Sequence, residues 1–301
     1  MFSNGYLNIS NDIRFRDEPR AKNLQLSTKS PYCLVLFRVL LGGVKIDLGN
    51  GKSTLQEKNY FILDSPTRQG ISINTDISRA FPGLGVQDRH GNFLAYTVIK
   101  SLDTFFHATG TNKGFFEVLL NEISRSIVES RNGNHLSGFV YIYRALEHMS
   151  YALPFFHARH ATNYVKAFTD LRNLIASGDG ELKFCDKFIG YIFQGEAIFS
   201  NHKYKISFPP THEQKLEKYL NGFHSKHCSK NPGTGLIEVN FLHAFSFLVD
   251  IRNKFFHHLS GSNQSASSKE IIDADIFFKP INEIALSIIS LVLGKMISAE
   301  L

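Results

Sequence analysis

The stretch FSFLVDIRNKFFHHLSG, residues 245–261, carries the clearest structural signal in this sequence. It predicts the end of a long helix over Leu236–Leu259, which Gly261 terminates. On that helix Arg252 shares one face with five apolar side chains. Burying a charge without a partner is costly, so Arg252 needs an anionic partner, an apolar groove open to water, or an anionic substrate. The five are Phe245, Leu248, Val249, Phe255 and Phe256.

Helical periodicity extends outward from this stretch over residues 111–301. Apolar residues recur at helical spacing in several segments, and short polar or Gly-containing connections separate them. Such connections favour antiparallel neighbours, so this region is predicted to be a bundle of five or six helices. The segments are Phe115–Arg131, Leu136–Leu153 (interrupted by Pro154), Thr162–Ala176, Thr211–Phe223, Leu236–Leu259, and Ile271–Ala299 (with Pro280 kinking or splitting it), and a further short segment lies at Glu181–Phe193.

Residues 1–110 differ from the helical region in composition and in the length of their apolar runs. This region is rich in Gly, Asn, Asp, Ser and Thr, and its apolar runs are short, such as Tyr32–Leu41 and Val44–Leu48. Asn50–Gly51 is typical of a turn between strands. We therefore expect a smaller α+β or strand-containing region of unknown role before the helical domain, in a protein that is mainly α.

The amino-acid composition indicates a folded, globular protein with a basic net charge. The 43% hydrophobic and 20% charged fractions are typical of a globular chain and exclude a disordered one. A formal net charge of +6 favours contact with a polyanion such as RNA, DNA or anionic lipid. The three distant cysteines do not indicate a disulfide framework.

The cellular location of the protein is predicted from its cysteine content and from two segments of the sequence. Met1–Arg20 is polar and does not resemble a secretory signal. Ile281–Ile297 is the most apolar stretch, but it contains Asn282, Glu283 and Lys295, which favours a buried terminal helix over a membrane span. We expect a cytoplasmic protein with no membrane partner.

Near the predicted helix end lie Arg252, Asn253 and His257, three residues suited to cutting RNA. Asn253 and His257 are spaced i, i+4 and lie on one face. His can accept a proton from the ribose 2′-hydroxyl at cellular pH, and Arg offers a planar fork of donors for phosphate oxygens. The 2′-oxygen is the nucleophile, so this chemistry needs no metal. The alternative is structural: Arg252 pairs with a carboxylate, while His257 and His258 lie at the negative helix end.

The segment RNKFFH, residues 252–257, after the apolar run Phe245–Ile251, resembles the signature of the HEPN superfamily. The resemblance covers the helical region, about 115–300, and its motif is these six residues. It implies a helical bundle and a metal-independent endoribonuclease whose active site, Arg252, Asn253 and His257, lies at a cleft between two protomers. A related branch has Tyr two residues after the His, where this chain has Leu259.

A second segment, residues 141–160, supplies supporting residues. Arg144, Glu147 and His148 recur at helical spacing with Tyr151, along a face that can meet the Arg252 helix. Glu147 is the candidate partner of Arg252. The alternative for Arg144 and His148 is a local surface pair. Further phosphate contacts are expected from Lys254, His258, His157, Arg159 and His160.

One cluster resembles a metal site without completing it. His224, His227 and Cys228 lie close in sequence, yet a structural zinc site requires four ligands and no fourth is evident. The sequence therefore predicts no metal and no cofactor.

These observations lead to one hypothesis with two rivals. The leading one is a homodimeric RNA-cleaving toxin or anti-phage effector, which leaves 2′,3′-cyclic phosphate ends and is regulated by an antitoxin or sensor protein. The first rival is a non-catalytic helical adaptor that binds RNA or protein in a defence or toxin–antitoxin complex. The second is a helical DNA- or nucleotide-binding regulator, which would show salt-sensitive duplex binding without cleavage.

Overall fold

A computed structural model shows a mainly α protein with two small antiparallel sheets. It describes residues 1–5, 7–11, 24–49, 51–63, 95–108, 112–177, 180–193, 195–209, 220, 227–230, 236–256 and 273–301.

The helices and strands of these described residues are numbered in chain order. The helices are α1 (Tyr32–Leu41), α2 (Ala95–Ala108), α3 (Lys113–Arg131), α4 (His135–His160), α5 (Tyr164–Ser177), α6 (Gly180–Phe193), α7 (Ala197–Ser200), α8 (Ala244–Phe256) and α9 (Ala274–Glu300). The strands are β1 (Phe2–Ser3), β2 (Asn8–Asn11), β3 (Val44–Gly49), β4 (Lys52–Gln56), β5 (Lys203–Ile206), β6 (Cys228–Lys230) and β7 (Ile237–Asn240). A 3₁₀ turn, Phe241–His243, leads into α8.

The chain divides into two compact units. The first unit consists of Met1–Val128 and Ile289–Leu301, and the second of Glu129–Ile288. These bounds differ from the sequence-based division at 110/111.

The first unit contains the sheet β1-β2-β3-β4, in which all neighbours are antiparallel. Strands β3 and β4 form a hairpin in which Gly49 pairs with Lys52, and Gly51 lies in the turn that the sequence predicts, while Asn50 lies outside the described residues. Gly51 has φ +73°, a backbone conformation that glycine adopts readily and that two-residue hairpins require. This sheet confirms the expectation of strands in the N-terminal region.

Helix α1 fills the core of the first unit and carries a fully buried arginine. Nine of its ten residues are buried, including Arg38. The Arg38 guanidinium donates to Leu24 O at 2.7 Å, Gly43 O at 2.8 Å and Asn11 Oδ1 at 3.1 Å. Gly42 ends the helix with φ +90°, and a Cβ there would lie 3.1 Å from Lys58 O. The local chain is therefore folded tightly around one buried cation.

The second unit contains a sheet that the sequence pattern did not predict, with order β5-β7-β6. Ile237–Asn240 is the central strand, pairing antiparallel with β5 and with β6. The prediction that a helix begins at Leu236 was therefore wrong, and α8 begins at Ala244. The β-branched residues Ile237 and Val239 are buried and gain ladder partners on both sides, which outweighs local helical periodicity.

Two prolines lie inside helices rather than ending them. Helix α4 continues through the buried Pro154 to His160, so the predicted break after Leu153 was wrong. Helix α9 contains Pro280 and is a single helix. In each case packing of the apolar face compensates for the hydrogen bond that proline removes. The predicted helix Thr211–Phe223 lies, apart from Leu220, outside the described residues.

Among the described residues, one helix, α9, is long and apolar enough to cross a membrane. In this structure 78% of its most apolar window is buried inside the protein.

Candidate active site

The site lies in the second unit, where α4 and α8 present their side chains to each other. Helix α8 is anchored by a buried face that includes Phe245, Leu248 and Ile251. At its end, Phe256 stacks on Phe139 of α4, with ring centroids 6.5 Å apart and planes inclined by 9°. This packing fixes the position of Arg252, one turn before Phe256, opposite the middle of α4.

The Arg252 guanidinium lies between a carboxylate and an aromatic face. Its Nη2 is 3.7 Å from Glu147 Oε1, and its central carbon lies 5.3 Å from the centroid of the Tyr143 ring. Its Nη1 donates to Asn253 Oδ1 at 3.2 Å. The Arg252 side chain remains 29% exposed and that of Glu147 35% exposed. The expected pairing of Glu147 with Arg252 is thus present, in a position open to water.

The 3.7 Å separation is an ion pair, longer than a direct N–H···O hydrogen bond. Because both groups are partly exposed, solvent screens their attraction, and such pairs contribute about 1 kcal/mol or less. Glu147 therefore orients Arg252 more than it stabilises the fold.

Tyr143 is a member of the site that the sequence analysis missed. Burial raises the pKa of Tyr143 to about 12, with Glu147 and Cys185 adding to the shift and Arg252 opposing it. Its hydroxyl is buried and has no hydrogen-bond partner among the described residues. Tyr143 therefore stays neutral near pH 7 and serves as a platform for Arg252. The available signal was the i, i+4 spacing of Tyr143 and Glu147.

The other predicted site residues are distributed around this centre. Asn253 is exposed and adjoins Arg252, and Lys254 is partly exposed in the last turn of α8. On α4, Arg144 is exposed and His148 is partly buried. His257 and His258 follow Phe256 directly and lie outside the described residues, so their roles stay predictions.

A histidine–aspartate pair involves α8 away from Arg252. His227 Nε2 lies 3.0 Å from Asp250 Oδ2, and the His227 side chain is 8% exposed. The neighbouring Cys228 donates to Leu220 O at 3.7 Å, and burial raises the pKa of its thiol to about 11. His224 lies outside the described residues. Within the described part of the chain, no group of three or more His, Cys, Asp or Glu is arranged to hold a metal ion.

The residues proposed for outer phosphate contacts lie at the end of α4. His157 Nε2 is 3.4 Å from Asp170 Oδ2 of α5, and its ring contacts Phe184 and Phe188 of α6. This residue is therefore part of the packing between helices. Arg159 and His160 are exposed.

Comparison with known proteins gives no relative: no family model, no curated protein and no solved structure matches this chain.

Proposed function

We propose that this protein is a metal-independent endoribonuclease of the HEPN type. The observation that carries the proposal is the placement of Arg252, which Glu147 and the face of Tyr143 orient while almost a third of its side chain stays exposed. A preoriented guanidinium that reaches solvent is suited to binding a phosphate and to stabilising charge that develops on it.

The proposed reaction assigns one role to each residue. His257 removes the proton of the ribose 2′-hydroxyl, and the 2′-oxygen attacks the adjacent phosphorus. Arg252 binds the non-bridging oxygens as their negative charge increases, and Asn253 holds the guanidinium or a phosphate oxygen. The bond to the 5′-oxygen breaks and that oxygen takes up a proton. The products are a 2′,3′-cyclic phosphate and a 5′-hydroxyl.

The chemistry of Tyr143 supports a histidine as the proton acceptor. With a pKa of about 12, Tyr143 holds its proton at neutral pH. Histidine has the side chain whose ordinary pKa suits proton exchange near neutrality. His257 follows α8 directly, five residues after Arg252.

The biological proposal follows the resemblance of RNKFFH to the HEPN signature. We propose a cytoplasmic homodimer in which two copies of the Arg252/His257 pair face each other, as isologous symmetry permits. Its role would be that of a toxin or anti-phage effector, restrained by an antitoxin or sensor protein.

The proposal is tested with the full chain and a mixture of tRNA and structured RNA in EDTA. Wild type should cleave the RNA and leave cyclic phosphate ends, whereas His257→Ala should not. Arg252→Ala should lower the cleavage rate by about 100- to 1000-fold, the effect of losing one donor that stabilises transition-state charge. The fragments are identified by end-group analysis.

Arg172→Ala is the matched control, because Arg172 is an exposed arginine on α5 outside the site. It should cleave at the wild-type rate. Absence of cleavage by wild type, with folded dimers demonstrated by light scattering, would contradict the proposal. An equal loss of cleavage rate in Arg252→Ala and Arg172→Ala would mean that Arg252 acts only through the net charge of the protein.

A non-catalytic adaptor is the second candidate, and a different surface favours it. Tyr164, Val165 and Phe168 on α5 are 79%, 77% and 65% exposed. Large apolar side chains grouped on a surface are typical of protein interaction sites. The same assay separates the two functions, since an adaptor leaves RNA intact in every variant.

A further inference from the structure

One face of α4 displays two aromatic side chains flanked by basic ones. Arg144, His148, Tyr151, Phe155 and Arg159 follow the spacing of a single helix face. We call these five residues the α4 stripe. It runs for about 22 Å at the rise of an α-helix. Its members are exposed, apart from His148, which is partly buried.

The two aromatic members of the stripe are unusually accessible. The Tyr151 side chain is 56% exposed and that of Phe155 is 79% exposed. Neither ring stacks on another ring or on a cation in the part of the chain that the structure describes. Each therefore presents an aromatic face to solvent, one helical turn apart.

The arginines beside the two rings indicate which kind of ligand the α4 stripe binds. Arg144 precedes the two rings and Arg159 follows them, and the carboxylate that lies beside them on this helix, Glu147, is paired with Arg252. Exposed rings flanked by cations bind single-stranded nucleic acid, because bases stack on the rings while cations contact the phosphates. A strand of alternating bases and phosphates matches both features.

The stripe is also continuous with the candidate active site. Glu147, which orients Arg252, lies on the same helix one turn before Tyr151. Phe155 is eight residues beyond Glu147, or about 12 Å along the helix axis. A strand bound along the stripe would therefore lead to Arg252.

We propose that the α4 stripe is a stacking platform that binds single-stranded RNA beside the Arg252 site. Tyr151 and Phe155 stack on unpaired bases, and Arg144 and Arg159 contact the flanking phosphates. This inference rests on the proposed endoribonuclease function for its choice of RNA. It adds a preference for unpaired segments, since bases inside a duplex cannot reach the two rings.

Aromatic side chains on the opposite side of α4 are packed against another helix, unlike Tyr151 and Phe155. There, His157 and Phe156 pack against α6, where Phe188 contacts both rings at 6.1 Å. Those aromatic side chains contribute to the core between helices. Tyr151 and Phe155 have no such role, so their replacement should leave the fold intact.

The test measures binding of a fluorescent 2′-O-methyl oligouridine by the full chain, with anisotropy as the readout. This probe lacks the 2′-hydroxyl and resists cleavage, so the result is independent of catalysis. Tyr151→Ala/Phe155→Ala should weaken binding by about 10- to 100-fold. Phe155→Tyr should retain binding because it keeps the ring, whereas Phe155→Leu should lose it.

The chain offers a matched control on α5. Tyr164 and Phe168 have the same i, i+4 spacing and are 79% and 65% exposed. Tyr164→Ala/Phe168→Ala should bind the probe like wild type. An equal loss in both double variants would overturn the proposal, as would equal binding of duplex and single strand by wild type.

Three further outcomes separate this proposal from a dimer contact and from the nuclease proposal. If Tyr151→Ala/Phe155→Ala dissociates a dimer in light scattering, the stripe is a contact with a second copy and the proposal fails. If wild type cleaves RNA and the double variant has an unchanged KM, the nuclease stands and the platform fails. Binding of the probe without any RNA cleavage would keep the platform and reject the nuclease.

Discussion

Two arginines, one in each unit of the molecule, are held in contrasting ways. Arg38 in α1 is fully buried and donates to two backbone carbonyl oxygens and one amide oxygen, at 2.7 to 3.1 Å. Arg252 in α8 is partly exposed beside the carboxylate of Glu147, at 3.7 Å. Arg38 has close neutral acceptors, whereas Arg252 has the carboxylate of Glu147 at a longer distance beside the amide oxygen of Asn253 at 3.2 Å.

The difference separates a structural arginine from a candidate functional one. Short hydrogen bonds from both terminal nitrogens of the buried guanidinium join separate parts of the chain. A loosely paired, partly exposed guanidinium can approach a substrate phosphate at little cost in stability. Exposure and partner geometry therefore assign Arg38 to the fold and Arg252 to the site.

The largest expected effect tests that assignment directly. Arg38→Met should lower the free energy of unfolding by about 3–5 kcal/mol, because it removes the donor of two buried carbonyl oxygens and of the part-buried Asn11 amide oxygen. Arg252→Met should change it by about 1 kcal/mol or less, as expected for a screened surface pair. Urea denaturation followed by circular dichroism measures both.

Lys45→Met, on an exposed position of β3, is the control for loss of a charge. It should leave stability near that of wild type. A large loss in Arg252→Met together with a small one in Arg38→Met would reverse the assignment.

A smaller effect is expected when Arg252 keeps its charge but loses its carboxylate. Glu147→Gln should lower kcat for RNA cleavage by about 10- to 100-fold, because a displaced guanidinium stabilises the transition state less well. RNA binding should not weaken, since the variant removes a negative charge. Steady-state kinetics and anisotropy give the two quantities separately.

Asp170→Asn removes a carboxylate on α5, outside the site, and should leave kcat unchanged. An increase in KM for Glu147→Gln at constant kcat would mean that Glu147 acts in substrate binding rather than in orienting Arg252.

The smallest effect is expected from removing the Tyr143 hydroxyl. Tyr143→Phe keeps the aromatic face under Arg252 and deletes a buried group without a described hydrogen-bond partner. Stability at pH 8 should rise or stay within about 1 kcal/mol of wild type.

The raised pKa of Tyr143 determines the direction in which stability changes with pH. The pKa of Tyr143 is raised from 10.0 to about 12, chiefly by burial, so the folded state keeps a proton that the unfolded chain releases. Ionisation of this phenol is less favourable in the folded state, so it leaves stability unaffected below pH 10 and lowers it between pH 10 and 12. Melting temperatures at pH 8 and 10.5 should therefore fall less in Tyr143→Phe than in wild type. An equal fall would assign the alkaline sensitivity to other groups.

Local patterns predicted much of the fold and one contact of the site. Periodicity gave α3 and α5 close to their observed bounds, and Asn50–Gly51 gave the hairpin turn. The pairing of Glu147 with Arg252 followed from the helical spacing of the two segments. These features depend on residues that are near in sequence or share one helix face.

The features that sequence did not predict depend on distant partners. Ile237–Asn240 is a strand because β5 and β6 pair with it from either side, and β5 lies far earlier in the sequence. Tyr143 belongs to the site because the packing of α8 brings Arg252 over its ring. Neither fact can be derived from periodicity, which reports a segment's own apolar face.

Pro154 makes the two halves of α4 differ in how long their backbone stays closed. A proline has no amide hydrogen, so the carbonyl of Ser150 has no helical donor four residues later. Tyr151 precedes this interruption and Phe155 follows it. In hydrogen–deuterium exchange, the amides after Pro154 should open on a shorter timescale than those around Tyr143 and Glu147. We then expect the half that carries the residues around Arg252 to open slowly and the half after Pro154 to adjust to a ligand along it.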